Sequence, residues 1–137
     1  MEVGTFAFIQ DQEKRILMVK DVTRQQLWTL PGGGVDFKEL VPDALIREVK
    51  EETSLDINVG GLLGIFSQQK TPGIVILFSV KVIGGILSPN ETETSTCEYF
   101  TIEQLSKMKE EIKPAQWSMI HQVNSSKVFP IFNSFSV

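Results

Sequence analysis

The chain has 137 residues, 42% hydrophobic and 22% charged, with a formal net charge of −4. That length supports one domain with its own core, and the acidic balance argues against non-specific nucleic-acid binding, which calls for a basic surface. The single Cys97 excludes an internal disulfide and a cysteine-rich zinc site, and a lone thiol fits a reducing compartment.

The opening stretch "MEVGTFAFIQDQEK" carries an acid at Glu2 and no long apolar run, so it does not read as a secretory signal. "VGTFAFIQ" and "RILMVKDV" flank the polar turn "DQEK" and predict a two-stranded hairpin. "QLWTL" predicts a short strand, stopped by Pro31 and followed by Gly32-Gly33-Gly34 as a loop with unusual backbone freedom. Residues 42–53 predict a helix, with Pro42 suited to its first turn and Asp43 favourable to its dipole. "LDINVGGLLGIFSQQ" predicts a strand, and "GIVILFSVKVIGG" a β-branched strand buried on both faces. The second run is the most apolar in the chain, but Lys81 and its glycines leave it short of the ~20 apolar residues of a membrane span. "TSTCEYF" predicts another strand. "TIEQLSKMKEEI" and "PAQWSMIHQVNSS" predict helices, the first opened by Thr101 with Glu103 and Gln104 behind it, the second by Pro114. The tail "KVFPIFNSFSV" is aromatic and extended; Phe129, Phe132 and Phe135 are expected to cap the domain or join a homodimer interface. Strands on both sides of a central helix, with helices at the end, predict an α/β fold in which a sheet is sandwiched between helices. The expected setting is cytoplasmic, with neither membrane nor nucleic acid as partner.

Within the predicted helix, "ALIREVKEETSL" crowds Glu48, Glu51 and Glu52 into five positions. At about 100° per residue they fall with Ala44 inside one arc, with Arg47 beside Glu51. Leu45, Ile46, Val49 and Thr53 form the adjoining core face. Like charges three and four residues apart repel by roughly 0.2–0.5 kcal/mol each. A solvated acidic face is the plain reading of the helix alone. Yet an exposed helix would interleave lysines among its glutamates, and here only Arg47 and Lys50 stand on the flank. Carboxylates next to a glycine-rich backbone are the oxygen donors that Mg2+ or Mn2+ prefers.

Gly33, Glu39 and the run Arg47-Glu48-Val49-Lys50-Glu51-Glu52-Thr53-Ser54-Leu55 stand at the spacing G-x5-E-x7-R-E-U-x-E-E-x-G-U, with U bulky and apolar. This resembles the Nudix box, with one departure: Ser54 stands where the family has glycine. "LWTLPGG" is similar to the family's usual approach to the box. The resemblance implies a Nudix fold, an α/β/α sandwich with a mixed β-sheet, as a single domain over 1–137. It implies an enzyme, a Mg2+- or Mn2+-dependent hydrolase of the diphosphate bond in a small nucleoside diphosphate derivative. Carried over by position, Glu51 and Glu52 would be metal ligands, and Glu48 a ligand or the general base. The Gly32 carbonyl would complete the protein's share, and Glu39 would be a further ligand, direct or through water. Arg47 would pair with a glutamate and hold it in place.

Outside the box, Lys20 and Arg24 are candidates to contact a substrate phosphate, each with a solvated side chain as the alternative. Glu98 lies where family members often place an acid facing the metals. Trp28 reads as core or pocket wall. Trp117 and His121, one turn apart, read as packing, with a catalytic His121 as the alternative. The extra signatures of coenzyme A, NADH and dinucleoside polyphosphate hydrolases are absent. That leaves a MutT-type (deoxy)nucleoside triphosphate pyrophosphohydrolase, which the compact length favours, or an ADP-ribose or nucleotide-sugar pyrophosphatase. A non-catalytic nucleotide-binding module would be expected to lose box carboxylates, and all four are present. Isopentenyl diphosphate isomerase shares the fold but would need a catalytic cysteine in a context other than that of Cys97. After Thr53 the helix is expected to stop on a left-handed residue, a conformation glycine adopts freely and serine at about 1 kcal/mol.

Overall fold

The computed structural model describes residues 2–21, 26–88 and 95–135. Strand β1 (Val3–Phe8) is apolar on both faces, with Phe6 and Phe8 packed to one side and Ala7, then Ile9, to the other. Such a strand must be covered on both faces, and it organises the fold. Strands β4 (Gly32–Gly34) and β6 (Ile74–Gly85) take its two edges, and β5 (Leu55–Gln68) and β8 (Ile131–Phe135) extend the sheet in the order β4-β1-β6-β5-β8. The β1/β6 and β5/β8 pairs are parallel and the others antiparallel, so the sheet is mixed. A second, antiparallel sheet has the order β3-β2-β7, from Trp28–Thr29, Ile16–Asp21 and Ser95–Phe100.

Helix α1 (Val41–Thr53) covers one side, packing Leu45 and Val49 against Ala7, Ile9, Leu17 and Ile57. Helices α2 (Ile102–Lys107) and α3 (Pro114–Ser125) cover the other, packing Leu105, Met119 and Ile120 against Phe66, Leu77 and Trp28. The result is the expected α/β arrangement of a mixed sheet between helices. Among the described residues no helix is long and apolar enough to cross a membrane.

Several local expectations change. The predicted hairpin of β1 and β2 does not form as a strand pair, because both edges of β1 are already occupied; the turn survives in the Gln10↔Ile16 bridge, with Asp11 N–H to the Arg15 carbonyl and Leu17 N–H to the Ile9 carbonyl, each 3.0 Å. Gly32–Gly34 is a strand rather than a loop, paired antiparallel with Gly4–Phe6. Strand β6 is buried only in its first half, and Lys81, Val82 and Ile83 are exposed, since β1 stops alongside Ser79. The helix predicted over 101–112 breaks after Lys107 into a 3-10 turn over Lys109–Glu111, where Ile112 leaves to bridge Trp28. In the tail, Phe135 stacks on Phe66 with centroids 5.5 Å apart, whereas Phe129 and Phe132 are exposed.

Candidate active site

The acidic helix is oriented by its small apolar residues. Ala44, Leu45, Val49 and Thr53 are buried, while Ile46, expected in the core, is 40% exposed. The buried arc therefore starts at Ala44. At about 100° per residue, Glu48 and Glu52 lie about 40° and 80° from Ala44, between it and Leu45. These two carboxylates thus face the protein rather than the solvent, and both residues are half-buried, whereas Glu51 is exposed. The helix ends as expected: Ser54 is left-handed, with φ 66° and ψ 11°, and its N–H donates to the Lys50 carbonyl at 3.0 Å. Its hydroxyl also donates to the Ser88 carbonyl at 3.1 Å, and the Ser88 N–H donates to the Thr53 carbonyl at 2.9 Å.

What α1 faces is strand β4, and the triple glycine is what lets the two approach. At Gly32, with φ of +149°, a Cβ would stand 2.1 Å from the Thr5 carbonyl oxygen. At Gly33 a Cβ would stand 2.6 Å from Cδ of Glu48, so the bare backbone makes room for that carboxylate. The Gly32 N–H donates to Oε1 of Glu52 at 2.8 Å. Both inward glutamates thus abut the strand.

Arg47 gathers the rest. Its Nε donates to Oε2 of Glu39 at 2.8 Å and its NH2 to Oε1 of Glu39 at 2.9 Å, a two-point pairing. NH1 donates to Oε1 of Glu48 at 3.1 Å and lies 3.4 Å from Oε2 of Glu51. NH2 also donates to the Gly34 carbonyl at 3.2 Å and lies 3.5 Å from Asp36. The Arg47 guanidinium, then the Asp36 amide, hold the Glu39 carboxyl down at about 2. In return Glu39 raises the pKa of Arg47 above its ordinary value. Glu39 Oε1 also accepts the Asp36 N–H at 3.1 Å, which makes three hydrogen bonds on a group with about four lone-pair sites. Asp36 and Gly34 were not singled out from the sequence, because they occupy the variable positions of the box.

Gly32, Glu39, Glu48, Glu51 and Glu52 are thus brought together around Arg47 and β4. Among the described residues no three carboxylate, imidazole or thiol groups are already gathered as a metal cage. The donor set is nonetheless of the right chemistry for a hard divalent cation, being carboxylate and backbone oxygens.

The candidates outside the box are placed differently. Lys20 and Glu98 share a face with Met18 and Trp28, by pairing Lys20↔Trp28 and Met18↔Glu98, and the Lys20 ammonium lies 5.1 Å over the Trp28 ring. Side chains alternate along a strand. Cys97, whose thiol is pushed up by burial and then by the Glu52 carboxylate, therefore marks the face toward α1, and Glu98 lies on the face of its sheet opposite that of Cys97. Arg24 lies outside the described residues. Trp28 is buried in the core, edge-on to Phe100. His121 is exposed and packs its ring 5.8 Å from that of Trp117.

The same features link the chain to known proteins. A family model described as the NUDIX domain matches residues 2–123. A Methanocaldococcus jannaschii protein named ADP-ribose pyrophosphatase is 35% identical over 106 residues, covering 73% of this chain and 62% of that one. A Bacillus subtilis protein provisionally named 8-oxo-dGTP diphosphatase is 34% identical over 94 residues, covering 67% of this chain and 61% of that one. The chain thus spans less than two thirds of the length of these two relatives. The crystal structure of an ADP-ribose pyrophosphatase from Streptococcus suis superposes with a TM-score of 0.71 at 25% identity, covering 96% of this chain and 98% of that one. With a family model spanning nearly its whole length, this chain belongs to the NUDIX domain family.

Proposed function

We propose that the chain hydrolyses the diphosphate bond of a nucleoside diphosphate linked to another group, with Mg2+ or Mn2+ as cofactor. The convergence of Glu39, Glu48 and Glu51 on Arg47, beside a Glu52 tied to the Gly32 amide, carries this reading. Glu48, Glu51, Glu52 and the Gly32 carbonyl would hold the metal, with Glu39 as an outer ligand. Bound there, the metal supplies charge neutralisation for the diphosphate oxygens and acidifies water. Arg47 keeps Glu39 ionised and holds Glu39 and Glu48 in place, acting through them rather than by touching substrate. Glu48 is either a ligand or the group that takes the proton of the attacking water.

Similarity to two proteins named ADP-ribose pyrophosphatase favours ADP-ribose or a nucleotide sugar as substrate. Similarity to the Bacillus subtilis protein supports the second reading, a MutT-type nucleoside triphosphate pyrophosphohydrolase. The substrate is a small molecule in either case, and the free Cys97 suits a reducing, cytoplasmic setting. The test is hydrolysis of ADP-ribose, nucleotide sugars and (deoxy)nucleoside triphosphates with each metal, with products identified. Glu52→Gln should abolish most turnover and Glu48→Gln should lower it by about 10²-fold. Parent-like rates in Glu52→Gln with an intact fold would overturn the assignment.

A further inference from the structure

We infer that Gln116, on α3, is a positioning residue for the candidate site: it fixes the chain segment that leads to the Gly32 amide bound by Glu52. Gln116 is 5% exposed, and its Oε1 accepts the Leu30 N–H at 3.0 Å, a contact between residues 86 apart in the chain. Leu30 itself is fully buried, and its amide lies just beyond the β2/β3 ladder, which ends at Val19↔Thr29. A buried N–H without an acceptor is costly, and the side-chain oxygen of Gln116 supplies one.

Two residues on, the Gly32 N–H donates to Oε1 of Glu52 at 2.8 Å. Between them Pro31 has no N–H to give, and its carbonyl accepts the Ala7 N–H at 2.8 Å. On the other side, the Lys113 N–H donates to the Trp28 carbonyl at 3.1 Å. The path from Trp28 to Gly32 is therefore pinned in turn by the start of α3, by Gln116, by β1 and by Glu52. Three of these partners belong to the scaffold, and the fourth is a candidate metal ligand. Gln116 is the scaffold partner whose side chain can be exchanged without touching the backbone. Its loss frees the Leu30 peptide to turn toward another partner, and Gly32 and Glu52 lie at the end of that lever.

The metal readout rests on the proposed function, so the test adds one that does not. Amide hydrogen exchange at Leu30 and Gly32 is compared in the parent, Gln116→Met, Gln116→Leu and Gln116→Glu, alongside titration with Mn2+ alone followed by electron paramagnetic resonance. The Met and Leu variants remove the acceptor at similar volume, and two are used in case one fails to fold. Glu keeps an acceptor oxygen. The expected result is faster exchange at both amides and about tenfold weaker Mn2+ binding in the Met or Leu variant, with recovery toward the parent in Gln116→Glu. Faster exchange confined to Leu30, with parent Mn2+ affinity, overturns the inference, as does a Glu variant that behaves like Met. Should Glu52→Gln bind Mn2+ as the parent does, the metal reading fails, while exchange at Gly32 still decides the role of Gln116.

Discussion

Ser54 closes α1 in a left-handed conformation that costs serine about 1 kcal/mol. Replacing it with glycine removes that cost, but it also removes the hydroxyl that donates to the Ser88 carbonyl at 3.1 Å. A hydrogen bond of this kind contributes about 0.5–1.5 kcal/mol. Ser54→Gly should therefore fall within about 0.5 kcal/mol of the parent. Ser54→Ala keeps the backbone cost and loses the hydroxyl, so it should be less stable by about 0.5–1.5 kcal/mol. An unfolding entropy of about 2.1 cal/mol/K per residue converts each kcal/mol into a Tm change of about 3–4 °C for a chain of this length. Thermal and urea unfolding of the three proteins in parallel provide the measurement. The sequence alone predicts a slight rise in Tm for Ser54→Gly, and the Ser88 bond is what cancels it. Turnover should change little in both variants, because Glu52 is anchored from β4 rather than from the helix end. If Ala matched the parent while Gly gained more than about 4 °C, the Ser88 bond would contribute nothing. If Gly lost as much stability as Ala, the left-handed cost would be refuted and the helix would end in another way.

Adjacent glycines should separate stability from activity. Gly32→Ala places a Cβ against the Thr5 backbone at positive φ and should cost about 2–4 kcal/mol in urea unfolding. Gly33→Ala presses on the Glu48 side-chain carboxylate rather than on backbone, so it should leave the fold near parental while turnover falls about 10²-fold; unchanged turnover would remove Glu48 from the site. At Asp11, burial raises the carboxyl pKa, but the Arg15 amide and guanidinium and the Glu13 amide outweigh it, and the group titrates below its ordinary value. Its folded value is then lower than its unfolded one, so the stabilisation is full above the unfolded value and lost as pH falls through the folded one. The stability gap between the parent and Asp11→Asn should accordingly shrink below about pH 4; a gap constant with pH counts against it. Thr101→Ala removes the acceptor for the Gln104 N–H, 3.1 Å away, and should cost about 1 kcal/mol in the same unfolding assay.

What could be read in the sequence is what local chemistry decides. Thr101 and Gln104 cap each other as their spacing predicts, Pro114 opens α3, and Ser54 takes the left-handed angle the end of the box calls for. The spacing of the box also placed Arg47 beside Glu51, one turn on along the helix. Illegible parts depend on competition between distant segments. No local signal says that β4 and β6 will claim both edges of β1 and leave β2 to another sheet. None says that Gly32–Gly34 will serve as a strand, because the reason is the approach of Thr5 and Glu48 from elsewhere. The face that Glu98 takes is illegible for a related reason: it follows from its register with Met18, which only the folded pairing defines.

The helix shows how the two kinds of information combine. Periodicity grouped Ala44 with the glutamates and Ile46 with the core, yet the burial is the reverse. Once Ala44 is inside, Glu48 and Glu52 must be turned toward β4, and only a strand without side chains can receive them. The triple glycine and the acidic helix are therefore one feature read from two sides. A solvated acidic face would need no glycine opposite it and no arginine bound at two points to a glutamate eight residues away. Four carboxylates around one guanidinium leave the patch strongly negative, and holding Glu39 ionised down to about pH 2 preserves that charge rather than dispersing it. A fold that only needed solubility would have let such carboxylates point outward. Turning two of them inward against bare backbone is an arrangement that a divalent cation would complete.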